Sequence, residues 1–394
     1  MPNDDTTRPQ PQGALLVGGG FIAGAHAEAL RRLGIPLLGV VASTPEHTED
    51  AARRFGLRPY PDSWTALHDP AVTVVHDCAP SDVHMDINLE ALKAGKHVFS
   101  EKPLGVSVDE CSRQVRAARL ARCQTAVNFT YRGYAAVQTL RDIVQGGELG
   151  EIRYMTGHYL QDWLLFDTDF NWRVGALAAE TRAVSDIGSH LSDLARFVTG
   201  REPERLLARF STLHPQRRRP LGAVQTFTAG NGETEAFDVT TEDQASLLVN
   251  YSGGIHASFE LSQVAAGHKN DLQLEVFGTA GSVKWRQERP EELELGSRTH
   301  QRTVRLKDPV HPFTHYPGGH PEGYPDAITN VIRRFYEGLS GPVAGSPSIA
   351  TFEDGLAAAR FTEAAYQSQL RGEWVSLGGA AVQTREIPAT EVTG

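Results

Sequence analysis

Cysteine is scarce in this chain: 394 residues contain three, Cys78, Cys111 and Cys123, and no C-x-x-C pair. An odd number without such a pair argues against a disulfide framework or a thiolate metal site, and it fits a reducing cytoplasm. Basic residues never run further than Arg217 to Arg219, and the formal net charge is −10. Neither a nucleic-acid backbone nor an anionic membrane is therefore expected as partner. No stretch reaches the roughly 18 unbroken apolar residues that a membrane span requires. Met1 to Gln12 is polar and proline-containing, with no apolar centre, so it reads as a disordered tail rather than a signal peptide. Internal repeats and low-complexity tracts are missing too. A soluble, enzyme-like composition is left, and this length is more than one core usually serves, so two domains are expected.

What is present starts at Ala14 to Ala29, ALLVGGGFIAGAHAEA: an apolar run, a glycine cluster and an alanine-rich helical pattern. This reads as strand, tight turn and helix start. Gly18, Gly20 and Ala23 fit G-x-G-x-x-G/A, in which the first glycine permits the turn and the second lets backbone approach a pyrophosphate. The small third residue allows close packing of helix on strand. Phe21 and Ile22 open that helix, where exposed N–H groups and the positive end of the dipole would face an anion. Three glycines also suit a merely flexible turn, but a strand before and a helix after favour the phosphate cradle.

From Gly13 to about Phe129, strand-like runs (Leu37 to Ala42, Val72 to Asp77, His97 to Ser100, Thr125 to Phe129) alternate with helical patterns (Pro45 to Phe55, Asp82 to Ala94, Val108 to Arg122). Ser107 with Glu110 predicts a capping box for the last. Such alternation implies an α/β, doubly wound parallel sheet of Rossmann type over residues 13–130. Ligands of that fold sit beyond the carboxyl ends of the strands. The run ending at Asp77 is counted as the fourth strand and leads into Cys78, Ala79, Pro80 and then His84. The run ending at Ser100 is counted as the fifth and leads into Glu101, Lys102 and Pro103, beside the expected nicotinamide. A lysine there is either a solvated cation or, fixed by the following proline, an inward-pointing one. After the second strand stand Ser43 and Thr44 in place of the ribose-binding carboxylate, with no arginine beside them to select a 2′-phosphate. NAD and NADP stay open, and a plain helix start at Ser-Thr-Pro is an equal reading.

Residues 131–378 are expected to form an α+β domain with an open, mostly antiparallel sheet. A helix to about Gln145 and a strand Ile152 to Tyr159 precede two hairpins. These are Ala245 to Gln263 around Ser252-Gly253-Gly254, and Leu272 to Trp285 around Gly278 to Gly281. Helices are expected over Asp326 to Leu339 and Phe352 to Leu370, with residues 379–394 a frayed tail. The helix from Asp186 to about Thr199 carries Asp186 and His190 four apart, on one helical face, where the carboxylate can orient the imidazole. An N-capping Asp with a satisfied helix histidine accounts for the same spacing. A metal held by Asp186, His190 and Asp193 lacks a further histidine at ligand spacing.

Gly18-x-Gly20-x-x-Ala23, Glu101-Lys102-Pro103 and Asp186-x-Gly188-x-His190, in that order, resemble the glucose-fructose oxidoreductase and inositol dehydrogenase family, Gfo/Idh/MocA. The resemblance covers the chain after the first tail. It implies an N-terminal dinucleotide-binding domain, a C-terminal sheet that makes a dimer or tetramer interface, and oxidation or reduction of a sugar or cyclic polyol. It makes Lys102, Asp186 and His190 the active-site residues and places Pro103 after a cis peptide. His190 would act as acid/base, Lys102 would stabilise the alkoxide, and Asp186 would position His190. Gly18, Gly20, Phe21, Ile22, Ala23, Ser43, Thr44, Ala79, Pro80, His84, Glu101 and Lys102 are the candidate cofactor contacts, and no metal is implied.

Two stretches suit a polyol pocket: Tyr159, Gln161, Asp162 and Trp163 with Asn171, Trp172 and Arg173, and the Gly/Pro-rich loop His311 to Tyr324, which would carry His320 and Tyr324 over substrate. Packing between domains, or a linker, explains each as well. Two other functions share these motifs. One is a glycosidase with tightly bound NAD that oxidises a sugar transiently and eliminates the aglycone. The other is a non-catalytic dinucleotide sensor, disfavoured by the intact Lys102, Asp186 and His190.

Overall fold

The computed structural model describes residues 13–174, 180–221, 233–299, 301–339 and 349–377, without the side chain of Trp172. The expected tails, Met1 to Gln12 and 379–394, lie outside the described residues, as does the Trp172 side chain.

The N-terminal strands β1 (Gly13–Val17), β2 (Leu37–Val41), β3 (Val72–Asp77), β4 (His97–Ser100) and β5 (Thr125–Val127) form a parallel sheet in the order β2-β1-β3-β4-β5. Their near-continuous apolar character follows from burial on both faces. The helices are α1 (Phe21–Arg32), α2 (Pro45–Phe55), α3 (Ser63–His68), α4 (His84–Lys93) and α5 (Val108–Ala121). The strand ending at Asp77 is thus the third and that ending at Ser100 the fourth, one place earlier than counted from sequence. Between β2 and β3 the described chain has the helices α2 and α3 and no strand. Strand order reverses between β1 and β3, so the crevice beyond their carboxyl ends is where a dinucleotide belongs.

Local signals explain the ends. Thr44 caps α2 by accepting the His47 N–H at 3.1 Å, Pro45 is its first residue, and Gly56 closes it at φ 60°. Ser107 likewise caps α5, but the Glu110 carboxylate takes the Val106 N–H instead of completing the box.

After α6 (Ala135–Gln145) the chain builds a second sheet from β6 (Ile152–Leu160), β7 (Pro203–Ser211), β10 (Gln244–Tyr251), β11 (Ile255–Ser262), β12 (Asp271–Gly278), β13 (Ser282–Arg286), β14 (Glu292–Gly296), β15 (Thr303–Leu306) and β16 (Val375–Ser376). Its order is β15-β14-β13-β12-β6-β11-β10-β7-β16, antiparallel except for β6 beside β11. A two-stranded ribbon, β8 (Gln216–Pro220) with β9 (Thr234–Asp238), stands apart. Both expected hairpins are present, the first turning at Gly253 and Gly254 with φ 82° and 75°. One face packs under α6 and α7 (Ser189–Thr199); along β10 the alternation leaves Leu248 on the other, 49% exposed.

The last helices, α8 (Tyr324–Leu339) and α9 (Phe352–Arg371), return to the first sheet. Ile328, Val331, Ile332 and Phe335 join the core of β1 and α1, and Phe352 and Ala358 join that of β3 and α5. The division expected at residue 130 is therefore crossed twice by later chain.

Candidate active site

The glycine turn has the shape that a diphosphate needs. Gly18 adopts φ 107°, and a Cβ there would lie 2.5 Å from the Cys78 carbonyl oxygen, so only glycine fits. Gly20 starts α1 with no side-chain cap, no acidic residue follows in the first turn, and a Cβ on it would meet nothing within 4 Å. Phe21 and Ile22 open α1 with their backbone N–H groups in its first turn, while Ala23 is fully buried against the sheet.

Around this turn the remaining cofactor candidates divide. Ala79 and Pro80 follow β3 at the crevice. The ring of His84 lies against backbone, with Nδ1 2.8 Å from the Pro103 carbonyl oxygen and Nε2 2.8 Å from that of Ala79, so it braces the two loops. Glu101 turns inward to His26 and Asn128. Ser43 Oγ lies 3.0 Å from His47 Nδ1, and Thr44 is spent as the helix cap. An arginine that the sequence reading did not single out reaches the glycine turn. Arg54, a residue of α2, donates to the Gly19 carbonyl at 2.9 Å because α2 packs directly on the glycine turn, with Ala51 against Gly19.

Lys102 lies at the carboxyl end of β4, before a cis Lys102–Pro103 peptide. Its Nζ donates to Asp186 Oδ1 at 2.9 Å and to the Asp186 carbonyl at 3.1 Å, two of its three N–H bonds. Asp186 does not stand on an α-helix. Val184–Gly188 forms a π-helical turn ahead of α7, pinned by Glu242, whose carboxylate accepts the N–H groups of Arg182 and Val184. Gly188 lets the turn lie on the sheet, since a Cβ there would come 2.6 Å from Leu261. This geometry alters the expected pairing: among the described contacts Asp186 bonds Lys102 and Gln263 rather than His190. Gln263 Nε2 donates to Oδ2 at 2.9 Å, and Arg173 Nε approaches Oδ1 at 3.5 Å. Burial raises the Asp186 pKa, but the Lys102 and Arg173 cations outweigh it and hold the carboxyl well below its usual range.

His190, 8% exposed, sits among the rings of Tyr131, Phe129 and Tyr159, at centroid distances of 4.9, 5.6 and 6.2 Å. Burial, then the Lys102 charge, push its pKa well below the normal histidine value, with Asp186 opposing. Its Nδ1 is buried without a hydrogen-bond partner among the described residues. The result is a neutral, under-satisfied imidazole beside an ammonium. Asp193, the third ligand of the metal alternative, is instead bound by Arg132 at 2.8 Å.

The sugar-pocket candidates also separate. Tyr159 donates to Asn270 Oδ1 at 2.6 Å and contacts the Tyr131 hydroxyl; Gln161 bridges Asn270 and the Trp163 indole at 3.0 and 2.9 Å. Asp162 is drawn to Lys269 at 2.6 Å and to the Gly267 N–H. Tyr324 begins α8 and hydrogen-bonds Thr130, close to Tyr131 and Glu101. His320 is exposed, its ring 3.3 Å from the Pro317 carbonyl oxygen within its own loop, and it does not accompany Tyr324 inward. Sequence reading missed Tyr131, Gln263 and Asn270. No spacing links them to Asp186 or Tyr159: the register of β6, β11 and β12 brings Gln263 and Asn270 to Tyr159, and the turn after β5 carries Tyr131.

A glycine-turn Rossmann sheet meeting a lysine, aspartate and histidine at the ends of the central strands of a mixed sheet defines a dinucleotide-dependent oxidoreductase. Residues 13–129 match the oxidoreductase family with an NAD-binding Rossmann fold, and 137–284 match the GFO/IDH/MocA C-terminal domain. The chain is 30% identical to levoglucosan dehydrogenase of Pseudarthrobacter phenanthrenivorans over 92% of its own length and 97% of that protein. Among solved structures, a levoglucosan dehydrogenase complex with NADH and levoglucosan aligns with TM-score 0.83 at 28% identity, over 93% of this chain and 100% of that one. An inositol dehydrogenase homologue of Azotobacter vinelandii, complexed with NADH and myo-inositol, aligns with TM-score 0.79 at 25% identity, over 93% of this chain and 98% of that one. The protein belongs to the Gfo/Idh/MocA oxidoreductase family, and residues 13–129 are its NAD-binding domain.

Proposed function

We propose that the protein transfers hydride between nicotinamide and one hydroxyl or carbonyl carbon of a sugar or cyclic polyol. The carrying observation is the Lys102–Asp186 ion pair, formed across 84 positions of sequence, with a neutral His190 in the same pocket. Gly18, Gly20 and the N–H groups opening α1 hold the diphosphate, with Ala79 and Pro80 along the crevice. Bound there, the nicotinamide supplies the hydride acceptor or donor. The His190 imidazole takes the hydroxyl proton, and the remaining N–H of Lys102 donates to the oxygen as it becomes an alkoxide, a charge that matures only in the transition state. Asp186, steadied by Gln263 and Arg173, keeps that ammonium in place. Tyr131, Tyr159, Gln161 and Asn270 offer hydroxyl and amide groups for vicinal hydroxyls. In reduction the same groups return the proton. The reading includes a cytoplasmic setting, consistent with three free thiols, and self-association through the open face of the large sheet. Among the described residues, no helix is long and apolar enough to cross a membrane.

Levoglucosan, L-sorbose, myo-inositol and common pyranosides form the test panel, with NADH absorbance as readout. Net NADH formation supports the dehydrogenase. Aglycone release from a glycoside without net reduction indicates the glycosidase, and NADH binding without turnover indicates the sensor. Lys102→Ala and His190→Asn should each lower kcat/KM by about 10²–10⁴ while NADH still binds.

A further inference from the structure

A string of polar side chains crosses the apolar packing of the first sheet, and no step of the chemistry above uses it. Tyr336 Oη lies 3.0 Å from His76 Nε2, His76 Nδ1 lies 3.0 Å from His26 Nδ1, and His26 Nε2 lies 3.1 Å from Glu101 Oε1. The same carboxylate accepts Asn128 Nδ2–H at 2.5 Å and, at Oε2, the backbone N–H of Lys102 at 3.2 Å. Asn128 is held in turn by the Thr130 hydroxyl at 3.0 Å. Both imidazoles are fully buried, with Phe99 against each ring and Phe335 against Phe99.

Hydrogen counting fixes the donor to Glu101. Burial, and then the neighbouring His26, hold His76 neutral, so its ring carries one N–H. Were that hydrogen on Nε2, facing Tyr336, His26 would have to donate from Nδ1, and with one hydrogen of its own it would turn a bare lone pair on a carboxylate. In either protonation state His26 Nε2 donates to Glu101: with one hydrogen on each ring the string runs from the Tyr336 hydroxyl to His76, from His76 Nδ1 to His26 and on to the carboxylate, and with two hydrogens His26 donates to both His76 and Glu101. Both arrangements aim an imidazole N–H at the carboxylate. Although burial raises the Glu101 pKa, the bonds from His26 and Asn128 hold it below the usual value.

Apolar side chains would fill this volume with less desolvation, so the string calls for a role beyond packing. We propose that His26, His76 and Tyr336 are positioning residues: their hydrogen bonds orient Glu101, which fixes the Lys102 backbone and so places the Lys102 ammonium for the reacting oxygen. The inference rests on the dehydrogenase reading. Loosening the string frees the lysine without touching the glycine turn or the sugar contacts, so the loss falls on kcat, not on KM or cofactor affinity.

The test uses the full chain carrying Tyr336→Phe, His26→Leu or His26→Gln. It measures melting temperature, NADH affinity by fluorescence, steady-state kinetics on the sugar that the parent protein turns over, and hydrogen exchange of the Lys102 amide. Supporting partners of an active-site group typically contribute 10–100-fold, so kcat should fall about tenfold in Tyr336→Phe and about a hundredfold in His26→Leu. His26→Gln, whose amide can still donate to Glu101, should recover part of that loss. KM and the NADH Kd should stay within about threefold, and the Lys102 amide should exchange faster. Folded variants with the parent kcat and unchanged Lys102 protection overturn the proposal, as does a loss confined to KM or NADH binding. Tyr336→Phe removes one oxygen and guards against a result that reflects misfolding. Exchange needs no substrate: faster exchange in a protein that turns over no sugar supports the string and overturns the dehydrogenase reading, whereas unchanged exchange overturns the string alone.

Discussion

An imidazole that must accept a proton works best when it is neutral at the working pH, and His190 is kept so by burial and by the Lys102 charge. In the alcohol-oxidising direction, the acid limb of kcat/KM should therefore lie below about pH 6.5, the value of a free histidine. A limb at or above neutrality in a pH profile would remove His190 as the base. Asp77 offers a second residue-level test, on stability. It is fully buried, Oδ1 takes the Ala79 N–H, and Oδ2 is without a partner among the described residues. Burial pushes its pKa up to about 6. A carboxyl raised above its unfolded value costs stability as pH climbs from about 4 to about 6, and the full cost persists above that window. Asp77→Asn, equal in shape and uncharged, should stabilise the fold by about 1–3 kcal/mol at pH 8 and by almost nothing at pH 4. Urea unfolding at the two values checks it; equal gains at both would mean the buried charge is not the cause.

Elements show where sequence reading succeeded and where it stopped. The strands, both hairpins and α2 are local products of alternation, paired glycines and the Thr44-Pro45 and Gly56 caps, so they were legible. The lysine and the aspartate were visible through their motifs, but their bond was not. An α-helical period puts Asp186 over His190, while the wider π turn, held by Glu242, sends the carboxylate to Lys102 instead. Gln263 and Asn270 arrive through strand register, and the His26–His76–Glu101 string through the stacking of α1 on β3 and β4; neither leaves a spacing in the chain. Arg54 is the same kind of miss, since the three turns of α2 carry it from Ser43 back to Gly19. Its guanidinium beside the turn, with hydroxyls in place of a strand-end carboxylate, leads to the expectation that both NAD and NADP support turnover. Arg54→Ala should weaken NADP use about tenfold more than NAD use, the scale of one charge-assisted hydrogen bond. Equal effects on the two kcat/KM values would place the 2′-position away from Arg54.

At the scale of the whole molecule, the two sheets are not independent. Arg132, just after β5, binds Asp193 of α7 and Asp354 of α9, and all three groups are largely buried. More weight lies in apolar packing: α8 inserts Ile328, Val331, Ile332 and Phe335 into the core of β1 and α1, each at most 1% exposed. At roughly 1.5–3 kcal/mol for each such side chain, this amounts to about 8 kcal/mol. That is comparable with the roughly 5–15 kcal/mol that holds a whole domain together. A fragment of residues 13–130 should therefore expose that surface, bind hydrophobic dyes and lack a sharp melt. The full chain should unfold in one transition, with far-UV circular dichroism and the fluorescence of Trp285, buried on β13 of the second sheet, changing together. NADH, which touches the first sheet, should then raise the midpoint of both signals equally by mass action. Two separated transitions, with NADH moving only one, would mean that α8 and α9 rest on the Rossmann sheet without holding it.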